Sequence, residues 1–158
     1  MRILTRSTIA LLELAALLAL SAGCASSPEQ PAFDDRRTYS VPSRLRLNQW
    51  ALSGDWTLGG GAVVLDAPRG AIAFRFHARD VNVIMGAASP ATPTQFRVRI
   101  DGQEPGADHG IDVDSGGNGV VSEPRMYQLI RQQERIRERL VELEFDDAGI
   151  AAYDFTFG

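Results

Sequence analysis

The chain has one cysteine, Cys24, in 158 residues, and no lysine. A lone thiol cannot close an intramolecular disulfide or form a CxxC pair, so this chain by itself carries out no thiol–disulfide exchange. All 16 basic residues are arginine, which reads as a GC-rich coding bias. They face 20 acidic residues, for a net charge of −4, and form no basic stripe of the kind that grips nucleic acid. Two histidines, His77 and His109, have no third ligand near them in sequence, which argues against a zinc set. No serine or threonine stands in a recognisable nucleophile–base arrangement, so a small hydrolase is the weakest of the functional readings. No apolar run reaches the roughly 20 residues that span a bilayer.

What is present begins at the N-terminus. Arg2 and Arg6 precede an apolar run from Ile9 to Leu20, interrupted by Glu13, and Ser21-Ala22-Gly23-Cys24 follows. This is the layout of a secretory signal peptide. Its end resembles the lipobox of bacterial lipoproteins, with Ser21 where leucine is usual and Leu20 one place earlier. The resemblance implies diacylglycerol on Cys24 and cleavage just before it. Each acyl chain adds about 0.8 kcal/mol per buried CH₂, so two or three chains hold a protein on a membrane without a spanning helix. Ala25 after the cysteine, rather than Asp, implies the outer membrane, facing the periplasm. Without Arg2, Arg6 and Glu13 the mature chain has 14 basic and 19 acidic residues. Ser26, Ser27, Pro28, Pro31, Asp34, Asp35, Arg36 and Arg37 have little to bury and read as a flexible linker. The expected organisation is a signal peptide over 1–23, the lipidated cysteine and disordered linker over 24–38, and one domain over 39–158.

Periodicity in that domain is two. Ile72, Phe74, Phe76 and Ala78 alternate with Ala73, Arg75 and His77; Phe96, Val98 and Ile100 alternate with Arg97 and Arg99. Val141, Leu143 and Phe145 alternate with Leu140, Glu142 and Glu144, and Tyr153, Phe155 and Phe157 with Asp154 and Thr156. Each pattern predicts a strand with one buried face. Turn signals separate them at Ser53-Gly54-Asp55, Gly59-Gly60-Gly61, Pro68-Arg69-Gly70, Asp101-Gly102, Gly116-Gly117-Asn118-Gly119 and Asp147-Ala148-Gly149. The stretch Gln132–Glu138 fits a helical turn or a loop equally. The fold class expected is all-β, a jelly-roll-like antiparallel β-sandwich.

Several strings then resemble a known family. They are Leu47-Asn48-Gln49-Trp50-Ala51-Leu52-Ser53-Gly54-Asp55-Trp56, Phe76-His77-Ala78-Arg79-Asp80, Asp101-Gly102-Gln103-Glu104-Pro105-Gly106-Ala107-Asp108-His109-Gly110, Asp112-Val113-Asp114, Tyr127-Gln128-Leu129-Ile130-Arg131-Gln132 and Tyr153-Asp154-Phe155-Thr156-Phe157-Gly158. Together they resemble the C-terminal domain of DipZ-type thioredoxin-like proteins, where it follows a thioredoxin domain. The resemblance implies a fold similar to carbohydrate-binding modules, no catalytic residues and no cofactor. Here a lipid anchor takes the place of the thioredoxin domain, and Gln133-Glu134-Arg135 stands where a Pro/Gly-rich turn is expected.

Candidate ligand-binding residues follow from residue chemistry. Trp50 and Trp56 offer faces on which sugars stack, although the burial habit of tryptophan favours a core role for each; of the two, Trp56, beside the Gly turn, is the better placed to be exposed. Tyr127, Leu129 and Arg131 should share one strand face and Gln128 and Ile130 the other, so that Tyr127, Gln128 and Arg131 could stack on and hydrogen-bond a ligand. Asp108 and His109 mark a polar loop rim. Asp112, Asp114, Asn118 and Glu123 approximate a calcium loop with Gly117 at its turn, but position 5 is Gly116 and no helix can enter from Pro105, Gly106 and Gly110; a glycine-rich hairpin turn explains the same composition. The expected partners are the membrane through Cys24, and either a glycan or a thioredoxin-like or cytochrome c biogenesis protein. Cys24→Ser should abolish acylation, measured as loss of the lipid mass on the intact protein and its transfer from the membrane to the soluble fraction.

Overall fold

The computed structural model describes residues 26–29, 32–87 and 93–158. The signal segment and Cys24 lie outside the described residues. The fold is all-β: β1 (Arg36–Tyr39), β2 (Trp50–Leu58), β3 (Val63–Leu65), β4 (Gly70–His77), β5 (Asp80–Ala87), β6 (Thr94–Ile100), β7 (Asn118–Val121), β8 (Arg125–Arg131), β9 (Glu138–Phe145) and β10 (Ile150–Phe157). Pairing is antiparallel throughout, in the order β7-β6-β9-β4-β2-β3-β10-β5-β8, with β1 added to β2.

This sheet curls on itself because β2 belongs to both halves. Trp50–Ser53 pairs with β4, whereas the residues after Gly54 pair with β1 and β3. Gly54 has φ +90°, open to glycine and strained for other residues. Two residues on, the Trp56 indole N–H donates to the Ser53 carbonyl at 2.7 Å and fixes the corner. From β3 onward the chain alternates between halves except at the β6–β7 hairpin: β3, β5, β8 and β10 lie in one, β4, β6, β7 and β9 in the other.

The alternation of β4, β6 and β9 is as expected. Ile72, Phe74, Phe76, Phe96, Val98, Ile100, Val141, Leu143 and Phe145 are all buried. They meet Val81, Val83, Met85, Tyr127, Leu129 and Phe155 in one apolar core. Rings bridge the two halves edge to face: Trp56 on Phe145, centroids 6.2 Å apart at 70°, and Phe96 on Tyr127, 6.2 Å at 81°. The Asp101-Gly102 signal becomes a two-residue turn, with φ of 51° and 75° and both Ile100–Gln103 backbone hydrogen bonds formed. The undecided Gln132–Glu138 stretch is a loop leading into β9. It is held by the buried Gln132 side chain, which donates to the Ala78 and Arg137 carbonyls at 2.8 and 3.0 Å.

Three expectations are corrected. Tyr153 does not share a face with Phe155, because a bulge between Ala152 and Asp154 shifts the β10 register against β5. Ile150, Ala152 and Phe155 face the core, and Tyr153 turns outward. A second irregularity, between Val81 and Asn82 opposite β8, buries both Leu129 and Ile130, which strict alternation would put on opposite faces. Finally, the domain begins before Tyr39. β1 starts at Arg36, and the described residues ahead of it bond to the sheet: Ser26 N–H to the Asn48 carbonyl and Trp50 N–H to the Ser26 carbonyl, both 3.1 Å, and Asp34 N–H to the Leu58 carbonyl at 2.9 Å. A polar composition read as a tether misses these bonds because they are made by the backbone.

At Gly54 an added Cβ would meet the Arg69 carbonyl oxygen and the Gly70 Cα at 3.0 Å, on a left-handed backbone; at Gly61 it would meet nothing within 4 Å. Gly54→Ala should therefore cost about 1–3 kcal/mol in urea unfolding, and Gly61→Ala should stay within about 0.5 kcal/mol of the parent.

Candidate functional site

The β10 bulge does more than turn one side chain. Between the two halves, beside it, lies an apolar cleft lined by Trp50 and Leu52 of β2, Val63 of β3, Ile72 of β4, and Ala152, Tyr153, Asp154 and Phe155 of β10. Its volume is about 10 Å³, roughly one water. It is a narrow trough walled mainly by buried side chains, Trp50, Leu52, Val63, Ile72, Ala152 and Phe155; only Tyr153 and Asp154 of its lining are more than slightly exposed.

Two groups at the trough have capacity to spare. Tyr153 is 36% exposed, one of two large aromatic side chains presented to solvent among the described residues, with Phe33. Asp154 has no arginine or histidine partner among the described residues. Burial pushes its carboxyl above the ordinary aspartate value, opposed in part by the Phe155 backbone N–H. The Trp50 side chain is buried apart from 8%. Beside this apolar gap, neighbouring residues of β10 carry a carboxylate with no cation partner and an exposed aromatic ring, groups able to accept a hydroxyl hydrogen bond and to stack a ring.

The residues singled out in the sequence scatter elsewhere. Trp56, for which the core reading is the favoured one, is fully buried because its ring fills the corner of β2 against Phe145. Tyr127 is fully buried as well; its hydroxyl donates to the Glu123 carbonyl at 2.7 Å, and the Arg125 guanidinium covers its ring at 3.8 Å. Neither ring can offer a face to a ligand. Arg131 is paired with Asp80 at 2.6 Å. Gln128 is half-buried, and its side-chain carbonyl lies 3.4 Å from the Ile111 N–H. Asp108 is consumed in structure, accepting from the Gln133 N–H at 2.9 Å and facing Arg139 at 3.4 Å. His109 Nδ1 lies 2.9 Å from the Gly110 carbonyl, and the loop it starts runs along β8, with Gly110 N–H donating to Leu129 and Asp112 N–H to Gln128. That loop covers the free edge of β8.

The calcium candidates do not converge. Asp112 binds Arg125 at 2.7 Å and the Gln128 N–H at 2.7 Å. Asp114 accepts from the Asn118 backbone and side-chain amides at 2.8 to 3.2 Å, which hold its carboxyl below the ordinary value. The Glu123 backbone, through its carbonyl and its N–H, holds the Tyr127 hydroxyl. No group of three such side chains is placed to hold a metal ion among the described residues. The loop is a hairpin turn closed by Asp114 and Asn118, the plainer of the two readings of its composition.

The class follows from the fold: an all-β accessory module, an antiparallel sheet curled into a sandwich-like body. The thioredoxin-like C-terminal domain family matches residues 19–158, and the chain belongs to it; these are non-catalytic accessory domains, consistent with the C-terminal domain of DipZ-like proteins. A search of curated proteins returns no match.

Tyr153 and Asp154 were not singled out as site residues. One signal pointed to them: Ile150 and Phe155 have opposite parity, so both can face a core only if an extra residue is inserted between them. Because the folded protein holds Asp154 above its ordinary pKa, the stability this group favours is present below the unfolded value of 3.8 and lost as pH rises through the folded one. Asp154→Asn should therefore raise Tm by about 1–3 °C at pH 7, with the gap closing as pH falls into the aspartate range, in a pH series of thermal melts.

Proposed function

We propose that this protein is a lipid-anchored, non-catalytic binding module of the bacterial cell envelope, and that it holds a glycan in the trough beside the β10 bulge. The pairing of an exposed Tyr153 ring with a half-buried Asp154 carboxylate that has no cation partner carries the reading. Sugar rings present C–H faces that stack on an aromatic ring, and hydroxyls that donate to a carboxylate. The strand orders β3-β10-β5-β8 and β4-β9-β6-β7 support a jelly roll, a layout used by lectin domains. Fold likeness by itself does not define a ligand, so the weight rests on the trough. The anchor reading rests on the lipobox-like Ser21-Ala22-Gly23-Cys24 and places the module on the outer membrane, facing the periplasm.

Family membership favours a second reading, in which the module docks on a separate thioredoxin-like or cytochrome c biogenesis protein. A glycan array probed with the mature chain separates the two. The glycan reading predicts binding to an envelope sugar, weakened about threefold to tenfold by Tyr153→Ala with stability unchanged within about 0.5 kcal/mol. A folded chain that binds no glycan but crosslinks to a thioredoxin-like protein in the envelope sinks the glycan reading and supports the docking one.

A further inference from the structure

The end of the sandwich at which the chain leaves toward Cys24 carries a small surface of distinct character. Arg46, Leu47, Asn48 and Gln49 form a tight turn: Gln49 N–H donates to the Arg46 carbonyl at 2.9 Å, and Asn48 occupies the left-handed region at φ 63°. The Gln49 side chain closes it by accepting from the Arg46 N–H at 2.9 Å. Glycine or asparagine is favoured at that third position, and the residue before it stands at the corner. That residue is Leu47, 44% exposed. Beside it Arg44 and Arg46 are exposed and make no ion pair among the described residues. Neighbouring charges at this end are neutralised in pairs, Arg75 with Glu138 and Arg139 with Asp101. At the opposite end of the sheet, beyond β9, stand exposed Asp146 and Asp147.

Ser26 is bonded to this same turn, through its N–H to the Asn48 carbonyl and its carbonyl to the Trp50 N–H. Only Ala25 separates Ser26 from Cys24, so covalent reach keeps the cysteine within about 7 Å of Ser26. We infer that the turn Arg46–Gln49 is a membrane-facing surface, with Arg44 and Arg46 on anionic lipid headgroups and Leu47 at the interface, so that the module stands on the bilayer in one orientation rather than swinging on a tether. This rests on the proposal that Cys24 is acylated. The surface is the combination that interfacial binding uses, an apolar corner flanked by cations, and each arginine near an anionic surface favours contact about fivefold. The acidic far end is repelled by the same surface.

The test uses the full acylated protein reconstituted in vesicles containing anionic lipid. Acylation leaves no free thiol, so Leu47→Cys and Asp147→Cys each give one labelling site; six residues of strand separate the Asp147 level from that of the turn, about 20 Å. With a fluorophore at each site and a quencher on the lipid headgroups, position 47 should be quenched strongly and position 147 little. Arg44→Glu with Arg46→Glu should lower the ratio of apposed to free molecules at least 25-fold. Equal quenching at both sites, or none at position 47, in protein whose intact mass shows the acyl chains, overturns the orientation and leaves the anchor standing. An intact mass without acyl chains removes the anchor and the orientation together.

Discussion

Everything in this fold hangs on the corner of β2 from Ser53 to Trp56. One strand serves two halves of a sheet only if its backbone can turn sharply without losing its pairing. Gly54 supplies the turn at φ +90°, and the buried Trp56 ring, hydrogen-bonded back to Ser53, holds it. Between them Asp55 gathers β1: its carboxylate accepts from Thr38 Oγ1 and from Arg36, and both hold its acid form below the ordinary range. The Trp56 ring then reaches Phe145 of β9 in the other half. The residue that looks most like a ligand platform in the sequence is thus the one the architecture cannot release.

The trough is the counterpart of that corner. Closing two sheet halves over Phe74, Phe155 and Phe157, whose centroids lie 4.8 to 5.7 Å apart, leaves β10 out of step with its neighbours unless one residue is extruded. The extruded Tyr153 and the adjacent Asp154 land at the opening between the halves, where the carboxyl is partly desolvated with no cation beside it. A half-buried carboxylate with a backbone N–H as its partner and no cation beside it fits a ligand role better than a structural one.

The main strands were legible because burial and polarity alternate together along β4, β6 and β9. Ile72, Phe74 and Phe76, or Val141, Leu143 and Phe145, leave little freedom in register. The bulges were not, since a single extra residue reverses parity without changing composition. Trp56 is a core anchor, the preferred of its two readings in the sequence; its place beside a glycine turn does not expose it, because this turn folds inward. The attachment of Ser26 and Asp34 to the sheet was not legible because it is made by backbone hydrogen bonds, which leave no trace in side-chain type. The calcium-like spacing at Asp112–Glu123 shows the reverse case: a near-match whose carboxylates each have a nearer partner.

The division of labour between the two tryptophans gives the most direct test. The mature chain has only these two indole N–H signals. Two-dimensional NMR of the mature chain, with hydrogen exchange and then titration of the envelope glycan selected on the array, follows both at once. The account predicts that the Trp56 signal, hydrogen-bonded and buried, exchanges slowly and stays in place. The Trp50 signal, together with the backbone signals of Tyr153 and Asp154, should exchange faster and move with ligand. A ligand-dependent shift at Trp56 with none at Trp50, Tyr153 or Asp154 would contradict it.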